Sequence, residues 1–408
     1  MKYCKRCVVP STSAVPLTFD DEGICSACRV DEEKKAIDWN KRFEELKEVL
    51  KEYKTDGSNY DCIIPISGGK DSHFQVYIVK EKLGLKPLLV TFNHQFNTPQ
   101  GIRNLTNLIK KFGCDHIRFT ANPKLIPKLA RKALKTQGDP CWHCHAGIYT
   151  LPVQVAVKFN IPLIVWGEQG YLEMGGMYSH NDKVEMTKKW RKEHGMRGYD
   201  AEDMVDEEEG ITLADLKWAI YPSDEEIEKI GIKGIYLGNY IEWDHKKIAE
   251  EMIEKYDFET RDFDRTYNKY WDVECWHDHG MHDWLKFLKF GYGRGTDHSS
   301  RDVRAGRMTR EEAIEMVKKF DAKRPDDLDM FLKYIGMSEE DFIKCVDNMR
   351  DPEAWERNEK GEWVLKQPIW EEKSDENVEK ARLPITESYK CKDNSKAEES
   401  DSKEHVLL

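Results

Sequence analysis

The chain has 408 residues, 39% hydrophobic and 34% charged, with a formal net charge of −12. It contains no run of roughly 18 apolar residues, so no membrane span is expected. The acidity disfavours a nucleic-acid substrate, because binding through many phosphates calls for a basic surface. The tail from Glu371 carries 11 acidic against 7 basic residues, and removing it still leaves −8.

Met1–Cys7 has no apolar signal core, so the expected location is the cytoplasm. There the 11 cysteines are read as ligands or buried thiols, not disulfides. Cys4-x-x-Cys7 and Cys25-x-x-Cys28, with 17 residues between the pairs, have the spacing of a four-thiolate Zn²⁺ ribbon. Little else in the first 30 residues could build a core, so the metal would supply the folding energy. A thiolate at every position leaves no open site for catalysis. Residues 31–54 read as one amphipathic helix, with Ile37, Phe43, Leu46, Val49 and Leu50 on a stripe. Ribbon and helix make a first unit, 1–55.

Ile63-Ile64-Pro65-Ile66 then breaks into Ser67-Gly68-Gly69-Lys70-Asp71-Ser72, and a helical pattern runs on to Leu83. This is a buried strand, a tight turn and a helix start. Two glycines let backbone N–H groups converge on an anion at the helix N-terminus. Lys70 adds a mobile charge, and Ser67 and Ser72 add hydroxyls. Asp71 makes sense if Mg²⁺ sits between carboxylate and phosphate. The Walker pattern is absent. S-G-G-x-D-S resembles the pyrophosphate loop of the ATP pyrophosphatase superfamily, which implies an ATP site with Lys70, Asp71 and Ser72 as catalytic candidates.

Strands and helices alternate through 56–245. Strands are expected at Pro87–Phe92, Cys114–Thr120, Ile161–Trp166 and within 231–243. Helices are expected from Pro99 to Phe112, from about 122 to 135, after residue 144, and from 244 to 256. The alternation predicts an α/β fold with a doubly wound parallel sheet. Ligands in such sheets gather at the carboxyl ends of the strands. Phe92, Asn93, Gly167 and Glu168 therefore join Ser67, Gly68 and Gly69 as nucleotide-binding candidates. The acidic run 202–209 reads as a solvated face or mobile loop. Residues 246–370 form a helical C-terminal region, with helices near 310–320 and 338–349. Residues 371–408, poor in aromatics, read as a disordered acidic tail.

Cys141-Trp142-His143-Cys144-His145 matches a haem-attachment pattern, which the absence of an export signal speaks against. Three readings stand: a second zinc site with His143 or His145, an unmetallated thiol pair, or a [4Fe–4S] cluster completed by Cys275. A similar C-x-x-C plus a distant Cys is used by related enzymes that thiolate tRNA. The stretch from Gly291 to Arg310 is the most basic part of the chain. Arg294, His298, Arg301, Arg304 and Arg307 suit a small phosphorylated ligand, since guanidinium binds phosphate bidentately. The alternative is a surface loop whose arginines pair with carboxylates. Thr309 and Glu312 form a capping box.

The ribbon, the S-G-G-K-D-S loop, C-W-H-C-H and the block G-Y-G-R-G-T-D-H-S-S-R-D-V-R-A-G-R-M-T-R-E-E together resemble the N-acetyl sugar amidotransferase family over residues 1–350. The resemblance implies an ATP-dependent, AMP-forming enzyme that turns the acetamido group of a bacterial surface-glycan sugar, free or nucleotide-linked, into an acetamidino group. The chain has Lys2, not Cys, at position 2, and no Gly-x-Cys-x-Gly, so neither common glutaminase nucleophile is present. Family resemblance implies a separate glutaminase and a barrel-type ammonia-conducting subunit as partners. Two other readings compete: a tRNA thiolase of the same superfamily, and a non-enzymatic zinc-ribbon scaffold.

Overall fold

The computed structural model describes residues 1–371; the expected tail at 372–408 lies outside the described residues. Five parallel strands form one sheet in the order β3-β2-β1-β4-β5. They are β1 (Cys62–Pro65), β2 (Pro87–Asn93), β3 (His116–Thr120), β4 (Leu163–Trp166) and β5 (Lys233–Tyr236). Alternate side chains enter opposite layers, as a period of two requires. Ile63, Leu88, Val90 and Ile164 pack against Ile126–Gln137 and Trp142–Phe159, while Ile64, Leu89, Leu163 and Ile235 pack under Lys70–Val76, Pro99–Phe112 and His245–Tyr256. The sheet is doubly wound. Its order reverses at β1, and the crevice at that switch point opens beside Ser67–Ser72.

The N-terminal cysteines make a compact knot against the C-terminal region. Val8 packs with Ala313, Val317 and Ile369. Arg310 Nε donates to the carbonyls of Cys4 at 3.3 Å and Cys7 at 3.2 Å. The single helix expected over 31–54 is two helices, Ser26–Lys35 and Trp39–Lys51. Asp38 breaks it, because its side chain accepts from Lys41 N and caps the second helix. The helix after the phosphate loop is α-helical only over Lys70–Val76 and continues as a π-helix through Lys82. The acidic run keeps a solvated face, with Glu202, Asp203, Glu207 and Glu208 exposed, and is docked at its other side: Arg131 Nε bonds Glu209 at 2.8 Å, Lys132 pairs with Asp206 at 3.2 Å, and Met204 is buried. The C-terminal region is helical with one addition, a hairpin of β6 (Trp355–Arg357) and β7 (Trp363–Leu365).

One connection delivers the C-terminal region to the sheet's carboxyl edge. Residues 273–276 run against 96–98, with Thr98 N to Glu274 O at 3.0 Å, Trp276 N to Phe96 O at 2.9 Å and a bridge between Asn97 and Cys275.

Candidate active site

Ser67–Ser72 follows β1 directly. Ser67 N donates to Ser72 Oγ at 2.9 Å, and Gly69 N to Ser67 Oγ at 3.3 Å. Gly68 has φ +95°, and a Cβ there would sit 2.9 Å from Leu105 Cβ, so glycine is required twice over. Gly69 is the N-cap of the helix. A Cβ at Gly69 would lie 3.0 Å from Glu274 Oε1, which places a C-terminal carboxylate against the loop.

A cavity of about 380 Å³ opens here. Ser67, Asp71, Ser72, Phe92, Gly167 and Glu168 line it from the sheet side. Cys141, Cys144 and Cys275 line it as well, together with Asp272, Glu274 and Asp278. Its size lies within the range for small-molecule sites. Asn93 does not reach it. Asn93 is 1% exposed and spends its amide on Thr120 Oγ1 and its oxygen on Gln95 N and Asn97 Nδ2.

Lys70 differs most from its expected place. Its side chain is 1% exposed and does not line the cavity. The ammonium pairs with Asp71, lies 3.3 Å from His245 Nδ1, and sits 4.2 Å from the Trp271 ring centroid. The sequence carried no signal of that ring, 201 positions away. Asp71 is held by Trp243 Nε1 at 3.1 Å. Burial pushes its carboxyl up, but Lys70 and His245 overcome this and hold it below the usual carboxylate range. Glu168 lies 2.8 Å from His245 Nε2.

A second cavity, of about 430 Å³, adjoins the first. His145, Asp278 and His282 line both. It is also lined by Arg294, Arg301 and Arg304 of helix Arg294–Arg304, with Tyr292 and the ribbon residues Ser13–Val15. Arg301 and Arg304 form no ion pair among the described residues; Arg301 rests 4.2 Å from the Trp271 centroid, and Arg304 donates to Glu173 O at 3.3 Å. The other expected substrate residues are engaged. Arg294 pairs with Asp278 at 2.6 Å, and Arg307 with Asp244 at 2.6 Å. His298, 2% exposed, bonds Thr266 Oγ1 at 2.7 Å. His298 and Arg307 line a smaller neighbouring cleft and not the arginine cavity.

The junction is built around His282. Its Nε2 lies 3.3 Å from Asp139 and its Nδ1 3.6 Å from Asp278. Burial lowers its pKa, yet the two aspartates raise it to about 9, so the ring is an imidazolium at neutral pH. Asp278 and His282 stand four positions apart on one helical turn, Asp278–His282, but no spacing rule brings Asp139 to them.

The four N-terminal sulfurs fit zinc. All four cysteines are fully buried, Cys4 and Cys28 Sγ stand 3.9 Å apart, and Cys7 and Cys25 Sγ 3.7 Å. A thiolate tetrahedron with Zn–S bonds of about 2.3 Å places its sulfurs about 3.8 Å apart. Cys141, Cys144 and Cys275 share a cavity wall but do not form a group with all three Sγ within 4.8 Å. Burial holds each thiol up, Cys144 to about 12. His143 is turned into the core, with Nε2 3.2 Å from His94 O, whereas His145 faces the cavities.

An uncharacterized protein of Methanocaldococcus jannaschii, MJ1599, is 27% identical over 166 residues, covering 41% of this chain and 58% of that relative. Among solved structures, NMN synthetase from Francisella tularensis overlaps at TM-score 0.28 and 15% identity, over 50% of this chain and 93% of that one. The NH3-dependent NAD synthetase of Campylobacter jejuni overlaps at 0.27 and 14%, over 48% and 92%. The U34-tRNA thiolase NcsA of Methanococcus maripaludis, solved with its [4Fe-4S] cluster, overlaps at 0.23 and 17%, over 40% and 53%. At these TM-scores the overlaps carry no weight for the site. Residues 264–369, which deliver Glu274, Asp278, His282 and the arginine helix to the two cavities, match the family described as LPS biosynthesis protein WbpG-like, C-terminal domain.

Proposed function

We propose that the protein is an ATP-dependent, AMP-forming amidotransferase of surface-glycan biosynthesis, converting the acetamido group of a sugar into an acetamidino group. One observation carries this reading: a phosphate-loop cavity and an arginine-lined cavity share a wall at His145, Asp278 and His282. ATP occupies the first and the sugar the second, so the amide meets the α-phosphorus at the junction. An amide carbonyl is a poor electrophile. Attack of its oxygen on the α-phosphorus releases pyrophosphate and leaves an adenylated imidate; ammonia adds to the carbon, a proton is lost, and AMP departs with the former amide oxygen. Mg²⁺, when bound with the nucleotide, would supply positive charge against that building on the pyrophosphate. Asp71, ionised and at the cavity wall, would hold it. The Ser67 and Ser72 hydroxyls, both at the cavity wall, orient the leaving group, which is where preorganised donors act best. The His282 imidazolium faces the developing charge at the junction.

The nitrogen would come from free ammonia or from a separate glutaminase with a barrel-type conducting subunit. The thiolase reading, with a cluster on Cys141, Cys144 and Cys275, is favoured by one fact, that all three thiols line the ATP cavity. Brown protein with an iron–sulfur absorption band after anaerobic purification, and sulfur transfer to tRNA, would decide for it. A bare scaffold would release no AMP. The deciding experiment is mass spectrometry of acetamido sugars incubated with ATP, Mg²⁺ and ammonia. Replacement of O by NH, with AMP formed in step, is expected. AMP-free mixtures with unchanged sugars across free and nucleotide-linked candidates would refute the reading.

A further inference from the structure

On the C-terminal wall of the ATP cavity stands a group of three side chains, two of which, Asp272 and His279, have no role in the adenylation above. Asp272 and Asp278 line the cavity, His279 lies against them, and one ligand atom of each falls within 4.8 Å of the others. His279 is 1% exposed, and neither ring nitrogen has a hydrogen-bond partner among the described residues. Its Nε2 stands 3.8 Å from Asp272 Oδ2 and its Nδ1 3.7 Å from Asp278 Oδ2. Both ring edges thus face carboxylates without bonding them. A buried polar group left unpaired costs roughly 1–3 kcal/mol. The ring's surroundings are otherwise cyclic: Phe263 at 4.4 Å and His298 at 5.3 Å, centroid to centroid.

Charge points the same way. Arg294 bonds Asp278 Oδ2 at 2.6 Å but also answers Asp297 at 3.5 Å. Among the described residues Asp272 has no ion-pair partner within 4.0 Å but the His279 ring. A divalent ion would join the two carboxylates and give one ring nitrogen the partner it lacks.

We propose that Asp272, Asp278 and His279 form a divalent-cation site on the cavity wall across from the phosphate loop. Two carboxylates and one imidazole suit a borderline-hard ion such as Mn²⁺. Its open positions face the space that Ser67, Asp71 and Ser72 line from the other side, where phosphate oxygens or water would complete the shell. The site is separate from the Asp71 position, and it stands whether or not the sugar chemistry above is correct.

The test is Mn²⁺ alone, titrated without nucleotide or sugar into the zinc-loaded full chain, with free Mn²⁺ read by EPR. Wild type should show a site that Asp272→Asn and His279→Gln each weaken at least about tenfold, and that Asp71→Asn retains. Pulsed EPR of bound Mn²⁺ should show coupling to an imidazole nitrogen, lost in His279→Gln. That spectrum serves even if Asp272→Asn fails to fold. Equal Mn²⁺ binding by wild type and His279→Gln, or bound Mn²⁺ without nitrogen coupling, would overturn the site.

Discussion

The Trp271 ring has Lys70 Nζ at 4.2 Å from its centroid and the Arg301 guanidinium at the same distance. One residue from the phosphate loop and one from the arginine helix therefore share a single aromatic platform, a contact worth on the order of 0.5–2 kcal/mol each. The Lys70 ammonium is turned to Asp71, where, with His245, it offsets the burial that raises that carboxyl's pKa. Asp71 is depressed in the folded state, so its carboxylate persists below its ordinary range, and the stability it contributes is full above that range and is lost as pH falls through the depressed value. In Lys70→Met the burial penalty prevails, so the acid limb of kcat/KM for ATP should move to higher pH, with a lower melting temperature. An unmoved limb would show that Lys70 does not tune Asp71. Asp71→Asn should cost roughly 10²–10³-fold in kcat/KM, with partial recovery at raised Mg²⁺.

Helix Arg294–Arg304 is fastened at both ends before it meets a ligand. At its start, Asp283 accepts from Arg294 N at 3.1 Å and pairs with the fully buried Arg265 at 2.8 Å. At its end, Val303 packs on the cysteine knot, and beyond it Arg310 holds the carbonyls of Cys4 and Cys7. The ribbon is thus a wall of the arginine cavity as well as a local fold, and its Ala14 N bonds Tyr292 Oη at 2.8 Å. Cys25→Ser should lower zinc content and melting temperature together, and raise KM for the sugar more than for ATP. Arg301→Ala or Arg304→Ala should raise KM for the sugar and spare KM for ATP. Arg307→Ala, which removes the closest ion-pair partner of Asp244, should act on the melting temperature instead. If the Arg301 and Arg304 variants impair ATP binding and leave the sugar unaffected, the cavities are assigned the wrong way round. At this scale much was legible: the strand pattern of Ile63–Ile66 and Pro87–Phe92, the Thr98–Pro99 start and the Thr309–Glu312 box each encode their element locally. The break at Asp38 was not, because the apolar stripe runs on through Ile37 and only the cap interrupts it. Nor was the docking of Glu209, which depends on Arg131, 78 positions earlier.

At the scale of the whole molecule, function rests on a juxtaposition. The sequence marks a phosphate loop and an arginine block more than 200 positions apart, and nothing in either spacing says that their cavities touch. The contact is made because 273–276 runs against 96–98, a pairing without turn or periodicity to announce it. Lys70 was misplaced for the same reason, since a loop lysine reads as exposed until Trp271 is known to cover it. The junction also makes a prediction about stability. His282, flanked by Asp139 and Asp278, has its pKa raised from an ordinary 6.5 to about 9. A raised pKa means that the folded state holds the proton more tightly, so the stabilisation is full below about pH 6.5 and fades as pH rises through about 9. A shift of this size corresponds to about 3 kcal/mol at most, on a side chain 21% exposed. His282→Gln keeps a hydrogen-bonding group but loses the charge, leaving the buried Asp139 with Arg197 as its remaining close cation at 2.8 Å. Melting temperatures at pH 6, 7.5 and 9.5, taken without added divalent metal, should therefore show the largest gap between wild type and variant at pH 6 and the smallest at 9.5. A gap that widens toward alkaline pH would mean that the junction holds a neutral imidazole, and that the charge assigned to it in the reaction is wrong.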